Sequence, residues 1–417
     1  MSETSMNGPS MTGAGERLEI GAAEYRQRRE RLGARLQEEG LDAVCVFGPV
    51  RVAYLSGFFY SPTERPIALV LTARGQLAAL LPRLEVSHFQ QQGPELDDLA
   101  VYAEYPGGGE GLHPLSVLRA LLGRMGLLGG RIGADLDGYE HRWGYRGRAL
   151  SSVLGQPVRA DVALIDDLRM VKSDAEIALM REACRWGDCA HRLMQDAIGV
   201  GGDELLVSHG ASLAATRELL RELGERYVPK SREGLPANAM FIRGANTAHP
   251  HGLHQAGAVQ AGDVLVTGAY GVVGGYESEL ERTMIVGEPS AEFQRYFGAM
   301  LAAQQVGFGA LRPGRTCAEV EGDVRRFIRE ELGLDALVRH HTGHAFGLEG
   351  HEHPFLDLDD LTVIEAGMVF SIEPGLYVPG LAGFRHSDTL LVTPHGSERL
   401  SLYPRDLEAL TVPDLPA

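Results

Sequence analysis

The sequence predicts two domains, an α/β N-terminal domain followed by an α+β C-terminal domain. Three observations carry this. The 417 residues exceed what a single hydrophobic core usually organises. Up to Asp161 helix-like and strand-like patterns alternate, the mark of an α/β layer. Beyond Ser173 the texture changes to short strands and glycine turns between a few long helices. The expected divisions are a flexible N-terminus at 1–17, a first domain at 18–161, a linker at 162–173 and a second domain at 174–417.

From Tyr25 to Gly40, "YRQRRERLGARLQEEG" has the charge and periodicity of an amphipathic helix with a glycine stop. "LDAVCVFGP" is apolar throughout and predicts a buried strand; "RVAYLSGF" follows, and "IALVLTARGQLAALLP" predicts two strands around a glycine turn. "HPLSVLRALLGRMGLLGGRIGAD" reads as helix, glycine break and strand. The glycine-rich "YPGGGEGLHP" lacks the strand–loop–helix setting and the Lys-Ser/Thr of a phosphate cradle, so it is a plain loop. Ser173 opens a long helix through a capping-type start, and two more helices are expected at Ala291–Leu311 and Ala318–Leu332. No internal repeat is visible.

The apolar fraction of 44% with 23% charged residues is that of a soluble globular enzyme. A formal net charge of -17 without a Lys/Arg run argues against a phosphate-backbone partner. Cys45, Cys184, Cys189 and Cys317 form no CxxC pair, which fits reduced thiols. The segment "MSETSMNGPSMTGAGER" has neither a basic nor an apolar signal region, and no run reaches the length of a membrane span. A cytoplasmic protein that engages neither membrane nor nucleic acid is expected.

Chemistry concentrates in the second half. Eight of the fifteen histidines fall in "NTAHPHGLH" and "HHTGHAFGLEGHEH". "GYESELERT" places Glu277, Glu279 and Glu281 on a strand-like segment, where alternation gives them one face. A solvated strand face would explain the carboxylates alone; beside two histidine clusters and "SIEPG" they predict a catalytic cleft.

The motifs "NTAHPH", "TGHAFGLEGHE.P", "GMVFSIEPGLYVPG" and "GFRHSDTLLVT" occur in the order seen in the pita-bread hydrolases. Residues 165–412 resemble that family, which includes Xaa-Pro peptidases (prolidase, aminopeptidase P), methionine aminopeptidases and creatinase. "VAYLSGFFYSPTERPIALVL" is similar to the N-terminal domain of the prolidase and creatinase branch. The resemblance implies an α/β N-terminal domain, an α+β pita-bread C-terminal domain and, as in most relatives, a homodimer. Family metallopeptidases hold two metals on five ligands, whose positions here are Gly268, Glu279, His344, Glu373 and Ser387. Only His344 and Glu373 are of the expected type. Two adjacent divalent ions need several anionic oxygens, so a dinuclear centre is not expected. The resemblance to creatinase implies instead that Glu281 and Glu373 cradle a cationic group while His251 shuttles protons. Creatine itself does not fit, because Thr63 and Phe355 stand where that enzyme has an aromatic residue and a carboxylate-binding arginine.

Three readings follow from the resemblance. The first is a metal-independent hydrolase of a C–N bond in a small, cationic amide, amidine or short peptide, with no cofactor. In it His251 moves protons, Glu281 and Glu373 hold the nitrogen group, His344 and His351 donate to the oxygen, and Arg65, Glu279, Tyr276 and Arg385 bind substrate. The second is an Xaa-Pro dipeptidase or aminopeptidase with one divalent metal, Zn or Mn, on Glu279, His344 and Glu373. The third is a non-catalytic peptide-binding module, which would not need to keep His251, His344, His351 and Glu373.

Overall fold

A computed structural model describes residues 16–104, 113–231 and 234–417. Most of the N-terminus expected to be flexible, and most of the glycine-rich loop, lie outside the described residues. The chain forms two compact units, one built on Ile20–Arg169 and the other on Met170–Pro229 and the chain beyond residue 233.

In the first unit α1 (Ala22–Glu38) buries Leu32 and Leu36, and β1 (Ala43–Val46) is buried along its whole length. The segment "RVAYLSGF", left without an element above, is mostly helical: α2 (Pro49–Ser56) starts on a proline whose fixed φ suits a first turn. It stops at Gly57, where a φ of 76° closes the turn as only glycine does readily. β2 (Ala68–Thr72), β3 (Leu77–Pro82), α3 (Val86–Gln92), β4 (Asp98–Tyr102), α4 (Pro114–Arg124), β5 (Ile132–Ala134), α5 (Leu150–Leu154), β6 (Arg159–Ala160) and α6 (Ala163–Met170) follow. The six strands lie in the order β4-β3-β2-β1-β5-β6, with β1, β2 and β3 antiparallel and the remaining pairs parallel. The stretch expected as a linker is mostly the helix α6, and the units divide after Arg169.

The second unit opens with α7 (Asp174–Ala197), which starts on a full capping box between Ser173 and Glu176. α8 (Glu204–Leu223) is capped by Asp203. Strands β7 (Ala237–Arg243), β8 (Val264–Val273), β9 (Tyr276–Glu277) and β10 (Leu280–Val286) lead to α9 (Ala291–Ala310) and α10 (Cys317–Phe327). β11 (His344–Ala345), β12 (Glu352–Phe355), β13 (Val369–Ile372), β14 (Gly375–Val378), β15 (Ala382–Arg385), β16 (Ser387–Thr393), β17 (Gly396–Arg399) and β18 (Thr411–Val412) complete it. The main sheet runs β12-β11-β13-β16-β10-β8-β7, antiparallel throughout that path. This is the helix-backed curved sheet that the resemblance implies.

Helix α7 fixes which sheet face carries the site. Buried His191 in α7 meets the Thr267 hydroxyl of β8 at 2.7 Å, so Thr267 points towards the helices. Its neighbour Gly268 therefore faces the other way. Among the described residues no helix is long and apolar enough to cross a membrane.

Candidate active site

Strand register assembles one row on the open face. Met240 of β7 stands opposite Gly268 of β8, Gly268 opposite Glu281 of β10, and Glu281 opposite Ser387 of β16. Two of the five family ligand positions thus flank Glu281 without a carboxylate. A Cβ at Gly268 would meet only Met240, with Sδ 3.6 Å away, so the glycine leaves usable space rather than relieving a clash. Ser387 is committed: its hydroxyl donates to Glu279 Oε1 at 2.6 Å.

The cluster proper joins β10 to the β11–β13 side of the sheet. His344 Nε2 lies 3.4 Å from Glu279 Oε2 and 3.2 Å from Glu373 Oε1. Its Nδ1 faces the Ala345 carbonyl at 3.1 Å, which orients the ring and turns Nε2 to the carboxylates. The His351 ring stacks on His344 with centroids 3.7 Å apart. Next to this triad, Arg385 grips Glu281 with both prongs: Nη2 donates to Oε1 at 2.6 Å and Nε lies 2.6 Å from Oε2. Arg385 Nη1 also reaches the Tyr377 hydroxyl at 3.3 Å, and that hydroxyl meets His340 Nε2 at 2.8 Å.

Charge explains how so many acids coexist. Burial alone would depress His344, but the carboxylates of Glu279 and Glu373 overcome it and hold the imidazole at about 9. Burial would raise Glu373, yet the His344 hydrogen bond and Arg385 bring it down to about 2. Burial pushes Glu279 up, with Glu373 adding to this and His344 opposing it. Burial likewise pushes Glu281 up, and Arg385 is the cation that offsets it. Glu277 rises to about 7 through burial and then crowding by Glu352, Glu279 and Glu349. The three glutamates of "GYESELERT" therefore share one electrostatic neighbourhood, as strand alternation requires.

Behind the row sits a second charged pair. Arg282 is fully buried and donates to Asp388 Oδ1 at 2.8 Å, while the Ser401 hydroxyl and the Gln304 amide take the other positions around that carboxylate. This pair locks β10 to β16 and so fixes the register of Glu281 against Ser387.

Not every expected residue joins the cluster. His251 is exposed on the loop after β7; burial lowers His351, with His344 next, and His251 lies close enough to add to it. Tyr276 does not bind substrate: it is 2% exposed and its hydroxyl donates to Glu176 of α7, on the helix side of the sheet. The alternation that puts Glu277 on the open face puts Tyr276 on the other. Arg65 belongs to the first unit, where it pairs with Glu64 and Glu104. Glu281 and Glu373 were expected to hold a substrate cation; Glu281 instead carries the chain's own Arg385. Tyr377 and His340 join the site without having been expected there, although His340 stands in the second histidine cluster.

Among the described residues this arrangement offers ligands for one cation. His344 and one oxygen from each of Glu279 and Glu373 lie within 4.8 Å of one another. A second ion would need Gly268, which has no ligand atom, Ser387, which is spent on Glu279, or Glu281, which is paired with Arg385.

Residues 178–394 match metallopeptidase family M24, and residues 28–171 match the creatinase/prolidase N-terminal domain. The chain is 30% identical over 390 residues to a probable dipeptidase, PepE, of Mycobacterium tuberculosis, covering 93% of this chain and 97% of that one. It is 32% identical over 244 residues to the Xaa-Pro dipeptidase of Pyrococcus furiosus, covering 58% of this chain and 66% of that one. The solved structure of dipeptidase PepE from Mycobacterium ulcerans superposes with a TM-score of 0.80 at 27% identity, over 95% of this chain and all of that one. With a helix-backed sheet that presents a glutamate–histidine–glutamate cluster, this chain belongs to metallopeptidase family M24, hydrolases of carbon–nitrogen bonds.

Proposed function

We propose that the protein is an Xaa-Pro-type peptidase of short peptides that works with a single divalent ion, zinc or manganese, held by Glu279, His344 and Glu373. The observation that carries this is the Glu281–Arg385 pair. It supplies Glu281 with a permanent cation, removes the need for a cationic substrate, and leaves His344 Nε2 facing Glu279 Oε2 and Glu373 Oε1. The names of the relatives, dipeptidase and Xaa-Pro dipeptidase, support the substrate class.

The ion would polarise the scissile carbonyl and acidify a water. The remaining work belongs to the chain. His251, exposed at the cleft, takes a proton from water and returns it to the leaving nitrogen. His351, stacked on His344, donates to the oxygen that gains charge. Arg385 and Tyr377 fix Glu281 and the floor beside it. The likeness to the family further suggests a homodimer in the cytoplasm, and sedimentation tests the dimer.

One observation favours a second, metal-free reading: His344 between two carboxylates is held up to about 9 and offsets part of their charge without an ion. Hydrolysis of alanyl-proline by protein stripped with a chelator, before and after adding Mn2+ or Zn2+, separates the two. Activity lost on stripping and restored by metal is expected. Activity that survives stripping selects the metal-free reading, and none under either condition on a panel of Xaa-Pro peptides rejects both.

A further inference from the structure

The loop that carries His251 is held by polar anchors, not by burial. Leu253, the large apolar residue at its tip, is 82% exposed. On the near side of His251 the Pro250 carbonyl accepts from Arg385 Nη1 at 3.2 Å, and Thr247 takes the Gly383 amide at 2.8 Å. Across the loop Asn246 Nδ2 donates to the Leu253 carbonyl at 2.8 Å. On the far side the anchor is a carboxylate from a distant element. Glu204, the first residue of α8, is fully buried; its Oε1 accepts from the Gln255 amide at 2.8 Å and faces His254 Nδ1 at 3.0 Å. Its Oε2 lies 3.8 Å from Arg243 Nε, in the last residue of β7 where the loop begins.

A fully buried carboxylate is costly, and a pair or a hydrogen bond around it is weak grounds for stability. It does give a fixed position. The backbone bridge between Asp203 and Ala258 already ties the loop's end to the start of α8. Glu204 adds a grip from α8 three residues nearer to His251.

We infer that Glu204 is a positioning residue for His251: it sets the loop's far side so that the imidazole faces the cluster, while Arg385 sets the near side. The inference rests on the proton-shuttle reading of His251 given above. It makes length, not charge, decisive. Glu204→Gln keeps an oxygen at the reach of the Gln255 amide, whereas Glu204→Asp keeps the charge and falls short of it.

The test uses the full chain with Mn2+ and alanyl-proline. Glu204→Ala and Glu204→Asp are expected to lower kcat by about ten- to a hundredfold with KM little changed, the scale of a reacting group misplaced by about an ångström. Glu204→Gln is expected to stay within about threefold of the parent. Amide exchange at residues 249–256 rises in the first two and not in the third. Combined with His251→Ala, Glu204→Ala should add no further loss, because it acts through His251. Parent-like kcat in Glu204→Asp, or an additive loss in the double variant, overturns the inference while leaving His251 as the shuttle. Parent-like turnover in His251→Ala overturns the shuttle reading itself, and the inference with it. If Glu204→Ala does not fold, the Asp and Gln pair decides the question alone.

Discussion

Replacing Arg385 with methionine removes the cation that allows Glu281 to sit in the row. Both prongs of the pair measure 2.6 Å, and the two side chains are 10% and 15% exposed, so little solvent screens the loss. Stripping one partner from a buried pair typically costs about 3–5 kcal/mol, because the other charge stays buried without compensation. The second unit has roughly 250 residues, and at about 2.1 cal/mol/K per residue its unfolding entropy is about 0.5 kcal/mol/K. The melting transition of that unit should therefore fall by about 6–10 °C. Glu281→Gln leaves the guanidinium without its anion and should also destabilise. The double variant removes the conflict, so it should lose less than the sum of the singles by about 2–3 kcal/mol. Scanning calorimetry of the parent and the three variants measures all of this. A shift of less than about 2 °C in Arg385→Met, or strict additivity in the double variant, would refute the claim that this pair is the internal cation of the site.

His251→Ala should lower turnover of alanyl-proline by roughly two to four orders of magnitude, the range for a positioned acid–base group, while His249→Ala, on the same loop, stays near the parent; equal effects in steady-state assays would contradict the assignment. Gly268→Asp with Ser387→Glu should raise metal capacity from one ion per chain to two in elemental analysis, since Gly268 has room beside Met240, and an unchanged count would show that the row cannot be rebuilt. Burial pushes His191 down to about 3, so the unfolded chain, with its imidazole near 6.5, takes up the proton first. Stability should therefore fall as pH drops below about 6.5, by roughly 3 kcal/mol from this residue at pH 4.5. Denaturant melts of His191→Gln should be less acid-sensitive than those of the parent by that amount, and identical acid profiles would contradict the buried neutral imidazole.

Local signals made much of this architecture legible. Ser173 and Glu176 specify the start of α7 within four residues, and the expected helices at 291–311 and 318–332 correspond to α9 and to α10 with the π-turn after it. The Glu279–His344–Glu373 cluster was visible through its motifs, because each residue sits in a short segment with its own pattern. What stayed hidden was long-range pairing. Glu281 and Arg385 are 104 positions apart, and Arg385 shares with Tyr377 a two-stranded ribbon, β14–β15, separate from the sheet of Glu281. No periodicity links such residues, so carboxylates that had a cation appeared to lack one. Tyr276 is a different case, since strand parity alone could have turned it towards α7 and Glu176. The helix α2 escaped notice because "RVAYLSGF" is apolar on most sides, and its proline start and left-handed glycine end are the signals that identify it.

Calorimetric titration of chelator-stripped protein with Mn2+ and with Zn2+ tests the single-ion site most directly. The expected stoichiometry is one ion per chain, abolished by His344→Ala and retained in Glu281→Gln, because Glu281 belongs to Arg385 and not to the metal. A stoichiometry of two, or no binding to a folded parent protein, would contradict a site built for one ion on Glu279, His344 and Glu373.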